Sequence, residues 1–134
     1  MTLPTIDHIG IIVDDLDKAI EMFEHLFQMK ATKVTELADS GLKIAHLEAR
    51  NIGIELIQYV GGDESFGRRV MGSGRGVNHM SIQVEDTDSV MKNLQDKGLR
   101  VMEGFPRTGS HGRVAFFEPE TTRDILLEIC ESRG

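Results

Sequence analysis

Four residues of this 134-residue chain stand where they could hold a divalent metal: His8 and Glu55 in the first half, His79 and Glu128 in the second. Each histidine opens an apolar alternating run, in DHIGIIVDDLDKAIEMFEHLF and again in NHMSIQVEDTDSVMKNLQDKG. Each glutamate sits inside the apolar run that closes its half, IELIQ and LLEIC. The separations are 47 residues (55 − 8) and 49 residues (128 − 79). If the halves pack about a pseudo-twofold axis, two imidazoles and two carboxylates converge, a common ligand set for a divalent metal. Four such ligands leave positions open for water or substrate, which suits catalysis. Taken singly, a histidine on a strand is more often structural, and a glutamate in an apolar run can face solvent from a sheet edge. Taken as a symmetric set, with a buried carboxylate costly unless paired or ligating, the four favour a metal.

The elements that would carry these residues are written twice. At an offset of 71 (79 − 8), His8 falls on His79, Ile11 on Ile82, Val13 on Val84, Asp15 on Asp86 and Asp17 on Asp88. Ile9 over Met80 and Asp14 over Glu85 are near matches. Agreement at one fixed offset is the signature of an internal repeat. In residues 6–13 the alternation puts Asp7, Ile9, Ile11 and Val13 on one strand face, and Ile6, His8, Gly10 and Ile12 on the other. Asp14 or Asp15 can cap the helix that follows. There Leu16, Ala19, Ile20, Phe23 and Phe27 form one apolar stripe. The second copy places Met80, Ile82 and Val84 on its strand face, Val90, Met91 and Leu94 on its helix, and Gly98 at the helix end. Strand-like runs follow each helix: KATKVTEL, GLKIAHLEA and GIELIQYV, then LRVMEG, GRVAFFEP and ILLEICE. Each half therefore reads βαβββ, with the histidine face turned away from its helix.

Length bounds the chain at about one domain, 1–134, with a first module near 5–60, a glycine- and arginine-rich linker near 61–76 and a second module near 77–132. The composition, 40% hydrophobic and 28% charged, is that of a globular protein. No stretch approaches the roughly 20 apolar residues that cross a bilayer. MTLPTIDH has neither a basic segment nor an apolar signal core, so the expectation is an uncleaved, cytoplasmic chain. The single cysteine, Cys130, excludes an internal disulfide and is expected in the core. A net charge of −7 disfavours broad nucleic-acid or anionic-membrane binding.

Over nearly the whole chain, the stretches IDHIGIIVDDLDKAIEMF, SGLKIAHLE, GVNHMSIQVED, PRTGSHGRVAFFEP and ILLEICE resemble the vicinal oxygen chelate superfamily, which includes glyoxalases, bleomycin-resistance proteins and extradiol dioxygenases. The GSHG turn before VAFF is similar to the methylmalonyl-CoA epimerase family in particular. The resemblance implies an α+β fold in which two tandem βαβββ modules form a cupped mixed sheet around a metal site. It implies His8, Glu55, His79 and Glu128 as ligands of cobalt, manganese, nickel or zinc, an acyl-CoA substrate, and a homodimer. The reaction so implied is epimerisation of methylmalonyl-CoA by proton removal at C2; pseudo-twofold symmetry then offers Glu128 and Glu55, approaching from opposite modules, as the acid/base pair.

The chain departs from that family at three places. Many epimerases carry glutamine at the position of Glu55, an acid/base glutamate at the position of Ile44, and HPK where this chain has EPETTRD. Glu48 and His46, on the strand face of Ile44, are reserve candidates. Arg123, Arg107, Arg113, Arg68, Arg69 and Arg75 are candidate anchors for the CoA phosphates. His111 is a turn residue at the expected mouth of the site, with a plain polar loop and a substrate contact both open. Two other classes stay in view: a glyoxalase I-like lyase or another acyl-thioester isomerase, and a protein that sequesters a ligand without turnover. A dioxygenase fits less well, because those sites use two histidines and one glutamate.

Overall fold

A computed structural model describes residues 2–110 and 112–131. His111, considered above for a substrate contact, lies outside the described residues. The class is α+β, and the chain divides into two compact units. One is His8–Asn78; the other gathers the residues up to Asp7 and those from His79 onward. Strand β1 (Thr5–Ile12) begins in the second unit and ends in the first.

In the first unit, β1 leads to helix α1 (Leu16–Phe27), strands β2 (Ala31–Leu37), β3 (Leu42–Glu48) and β4 (Gly53–Tyr59), and a short helix α2 (Phe66–Met71). The strands lie in the order β2-β3-β4-β1, antiparallel except that β4 runs parallel to β1. Helix α1 starts where Asp15, in extended conformation, accepts a hydrogen bond from the Lys18 amide at 3.1 Å. It stops at Gln28, which adopts the left-handed conformation. Its stripe of Leu16, Ala19, Ile20 and Phe23 packs on Ala45, Leu47 and Leu56, with Ile11 and Val13 of the first strand. Phe27, expected in this stripe, is 67% exposed. It occupies the last helical residue, and Met29 beyond the helix packs into the core.

Strand β5 (Gly76–Val84), which begins in the first unit and ends in the other, leads there to α3 (Thr87–Asp96), β6 (Arg107–Gly109), β7 (Gly112–Phe116) and β8 (Leu127–Glu131). The order β5-β8-β7-β6 repeats the first pattern, again with one parallel pair, β5 and β8. Asp86 caps α3, and Gly98 follows it with φ +103°. Val90, Met91 and Leu94 pack on Ala115, Phe117 and Ile129. Cys130 is fully buried.

One contact recurs between helix and last strand. The Leu16 amide at the head of α1 donates to Oε1 of Gln58 at 2.7 Å, and the Thr87 amide at the head of α3 donates to Oε2 of Glu131 at 3.0 Å. Helix N-termini leave amides without intrahelical partners, and here the end of the distant strand accepts one in each half.

Two sequence expectations need correction. LRVMEG is not a ladder strand: Leu99 and Val101 pack into the core, but Val101 makes only an isolated bridge to Phe117 and Gly104 turns the chain at φ +93°. The second strand of that half is RTG instead. The segment expected as linker contains α2, with Gly67 and Met71 buried. A Cβ at Gly67 would lie 2.5 Å from Leu42 Cδ2 and 2.9 Å from the Ser40 carbonyl, so glycine lets α2 seat on the end of β3. Among the described residues no helix is long and apolar enough to cross a membrane.

Leu56 is fully buried under α1. Leu56→Ala is expected to cost about 2–5 kcal/mol in chemical denaturation, whereas Phe27→Ala stays within about 0.5 kcal/mol of the parent.

Candidate functional site

Strand alternation decides what the helix-free face of each half carries. On β1, Ile11 packs toward α1, so His8, Gly10 and Ile12 point the other way, and all three are buried. On β4, Leu56 and Ile54 pack with α1, leaving Glu55 and Ile57 on the face of His8. On β3, Ala45 and Leu47 face the helix, and Ile44 and His46 face away from it. The register then sets the neighbours of Glu55: Gly10 beside it on β1 and His46 beside it on β3.

Glycine at position 10 presents no side chain, and His8 reaches past it. Its Nδ1 lies 3.3 Å from Oε2 of Glu55. His46 Nδ1 lies 3.7 Å from the same oxygen. His8 is 2% exposed, His46 4% and Glu55 4%. The first half thus contains a buried carboxylate with an imidazole on either side.

The second half builds a related pair. Ile82 and Val84 of β5 pack toward α3, which turns His79 and Ser81 to the other face. Ile129 packs toward α3, which turns Glu128 and Cys130 away. His79 Nε2 lies 3.9 Å from Oε1 of Glu128, and both residues are buried. Glu128 stands between Ser81 on β5 and Phe116 on β7. The ring of His79 meets Phe116 edge-on at 5.1 Å and 76°. Where Glu55 has a second imidazole beside it, Glu128 has a benzene ring.

All four sequence-selected residues are therefore buried on the helix-free face, paired histidine to glutamate within each half. Their donors, neutral imidazole nitrogen and carboxylate oxygen, are of the kind that binds borderline divalent ions such as zinc, cobalt and nickel. Buried carboxylates are retained when they pair or ligate, so the donor set fits a metal. His46, held in reserve from sequence, is buried against Glu55, whereas Glu48 on the same strand face is exposed. Ile44 is buried beside them at 4% exposure. Asp7 was not selected from sequence, yet it is 6% exposed with a carboxylate oxygen within 4.8 Å of Cys130 Sγ. An acid inside an apolar alternation was the available signal.

The arginines offered as phosphate anchors have varied surroundings. Arg113 binds Asp88 at 3.1 Å, and Arg75 binds Asp14 at 3.2 Å. Arg69 stacks over Phe66 at 5.7 Å, and Arg68 over Tyr59 at 4.4 Å. Arg107 is half-buried, and Arg123 is exposed in the left-handed conformation, φ +59°.

Residues 7–117 match the family model of the Glyoxalase/Bleomycin resistance protein/Dioxygenase superfamily. The chain belongs to this superfamily. Within the superfamily, the chain is 25% identical to the uncharacterized protein YqjC of Bacillus subtilis (strain 168), over 96% of this chain and 93% of that one. It is 24% identical to the mitochondrial methylmalonyl-CoA epimerase of Mus musculus, over 95% of this chain and 72% of that one. Among solved structures, a variant of Streptomyces coelicolor methylmalonyl-CoA epimerase in complex with 2-nitronate-propionyl-CoA superposes with a TM-score of 0.86. That pair is 28% identical and covers 98% of this chain and 96% of the other. The superfamily fold thus extends along the chain, and several of its similar members are epimerases.

Tyr59, at the end of β4, donates its hydroxyl to the Gly72 carbonyl. Burial pushes its pKa above the ordinary tyrosine value, and the Arg68 guanidinium over its ring pulls partly back. The folded state therefore holds this proton to higher pH than the unfolded state, so the group's contribution to stability is complete below about pH 10 and is lost as pH rises through the folded value. Tyr59 is the single tyrosine of a chain without tryptophan. Ultraviolet titration of the phenolate should give a midpoint above about 10 in the folded protein and the ordinary value in denaturant.

Proposed function

We propose that this chain is a metal-dependent epimerase that interconverts the 2R and 2S forms of methylmalonyl-CoA. The observation that carries the reading is the pair of buried histidine–glutamate couples, His8 with Glu55 and His79 with Glu128, one in each half of the repeat. Membership of the superfamily and similarity to epimerases crystallised with acyl-CoA ligands support it.

His8, Glu55, His79 and Glu128 are the residues assigned to hold the divalent ion. When bound, such an ion supplies positive charge to an enolate oxygen as the C2 proton leaves. The chain's own residues do the rest. Epimerisation needs one group to accept the C2 proton and another to return a proton to the opposite face. Among the described residues the buried carboxylates are Asp7, Glu55 and Glu128. Ile44, where many epimerases are expected to carry an acid/base glutamate, offers no proton site. The reading therefore gives Glu128 one acid/base role and Glu55 the other. Ile12, Ile44 and Ile57 are buried on the face of Glu55, apolar neighbours that would limit water at this carboxylate.

A second reading rests on Glu55 itself. Glyoxalase I is expected to carry glutamate at this ligand position, so a lyase acting on a glutathione hemithioacetal shares the donor set. The two readings separate by substrate.

The test is proton NMR of methylmalonyl-CoA in D2O with the cobalt-loaded protein. Rapid loss of the C2 proton signal, abolished by chelation, is the expected result. Glu128→Gln should slow that exchange by about 100-fold or more while still binding metal. No exchange with cobalt demonstrably bound would overturn the epimerase reading, and turnover of the hemithioacetal under those conditions would install the lyase.

A further inference from the structure

The two halves treat their glutamates differently, and the difference lies in their cross-strand neighbours. Glu55 on β4 faces His46 on β3; Glu128 on β8 faces Phe116 on β7. From this asymmetry we infer that His46 is a positioning residue, whose imidazole holds the Glu55 carboxylate in the orientation from which it binds the metal. The inference rests on the proposed metal site but adds a residue to it.

Three observations carry it. His46 is 4% exposed, so a polar ring has been brought into the interior, where only an interaction justifies its desolvation. Its Nδ1 lies 3.7 Å from Glu55 Oε2, the oxygen that His8 Nδ1 also addresses at 3.3 Å. Two imidazoles converging on one carboxylate oxygen leave little rotational freedom about the last side-chain torsion of Glu55. The backbone at position 46 is itself pinned: its carbonyl accepts from Thr32 Oγ1 at 3.1 Å, beside the bulge in β2. The imidazole therefore stands on a fixed element rather than a loop.

Outer partners of metal-ligating groups orient them, and losing one costs about 10–100-fold in metal affinity. Glu128 has Phe116 at the equivalent cross-strand place, so the imidazole contact belongs to the first half. At 3.7 Å the contact with Glu55 is electrostatic rather than a formed hydrogen bond. A dipolar group is what it requires, and bulk alone does not meet that requirement.

The experiment is cobalt titration of the purified, metal-stripped protein, read by visible absorbance, for the parent, His46→Phe, His46→Ala and His46→Gln. His46→Phe copies the arrangement of the other half and keeps the packing. Cobalt affinity should fall about 10–100-fold in the Phe and Ala variants, with an altered ligand-field spectrum. His46→Gln, which restores a polar group, should recover most of the loss. Should His46→Phe fail to fold, the Ala and Gln variants carry the comparison. Parental affinity and spectrum in any folded Phe or Ala variant would overturn the inference. So would complete loss of binding in the Gln variant, because that makes His46 a ligand. If the parent itself binds no cobalt, the proposed metal site fails instead, which keeps the two failures apart.

Discussion

A carboxylate inside an apolar sheet face is the constraint around which each half is built. Glu55 and Glu128 are flanked in sequence by Ile54 and Leu56, and by Leu127 and Ile129, residues that belong in a core. Placing an acid there is unfavourable unless something meets its charge. In both halves the first strand meets it with a histidine, and the parallel pairing of first and last strand brings the two within 4 Å. The helix takes the other face, so the acid never competes with the core for space. Parallel pairing requires a long crossover, and α1 with its two following strands provides one in the first half.

From that constraint the halves diverge. The first adds a second imidazole beside its acid; the second adds a phenyl ring, against which its histidine stands edge-on. A repeat supplies two copies of a scaffold, and different residues at equivalent cross-strand positions then give the two acids different surroundings. Ile44 belongs to this account. This chain buries its alkyl group two residues from His46 on the same strand face.

Much of this was legible in the sequence because period-two and period-3.6 patterns are local. The alternation from Ile6 to Val13 separated Ile11 from His8 correctly, Asp15 was one of the two caps offered for α1, and Gly98 marked the end of α3. The repeat brought out the two histidines, and following each half to its last strand brought out the two glutamates. What escaped depended on partners distant in sequence. LRVMEG has strand-like alternation, yet a strand needs a ladder neighbour, and only Val101 finds one. The short helix α2 is stabilised by seating against Leu42 and Ser40, which no window around residues 66–71 reveals. Phe27 obeys the helical period but falls on the last residue of the helix. His46 shows no local sign of burial at all; its role depends on the register of β3 against β4.

The amide latches at Leu16 and Thr87 carry a consequence for how the chain assembles. Each ties the first turn of a helix to a side chain 42 or 44 residues further on, three places past the buried glutamate. Helices alone form early and locally, but these two cannot finish their N-termini until the last strand has docked. The slow, long-range closure of each half is therefore also the event that delivers its glutamate beside its histidine. Nascent chain released before residue 58 would hold a helix without its latch. The order of synthesis thus makes a completed histidine–glutamate pair the mark of a completed half.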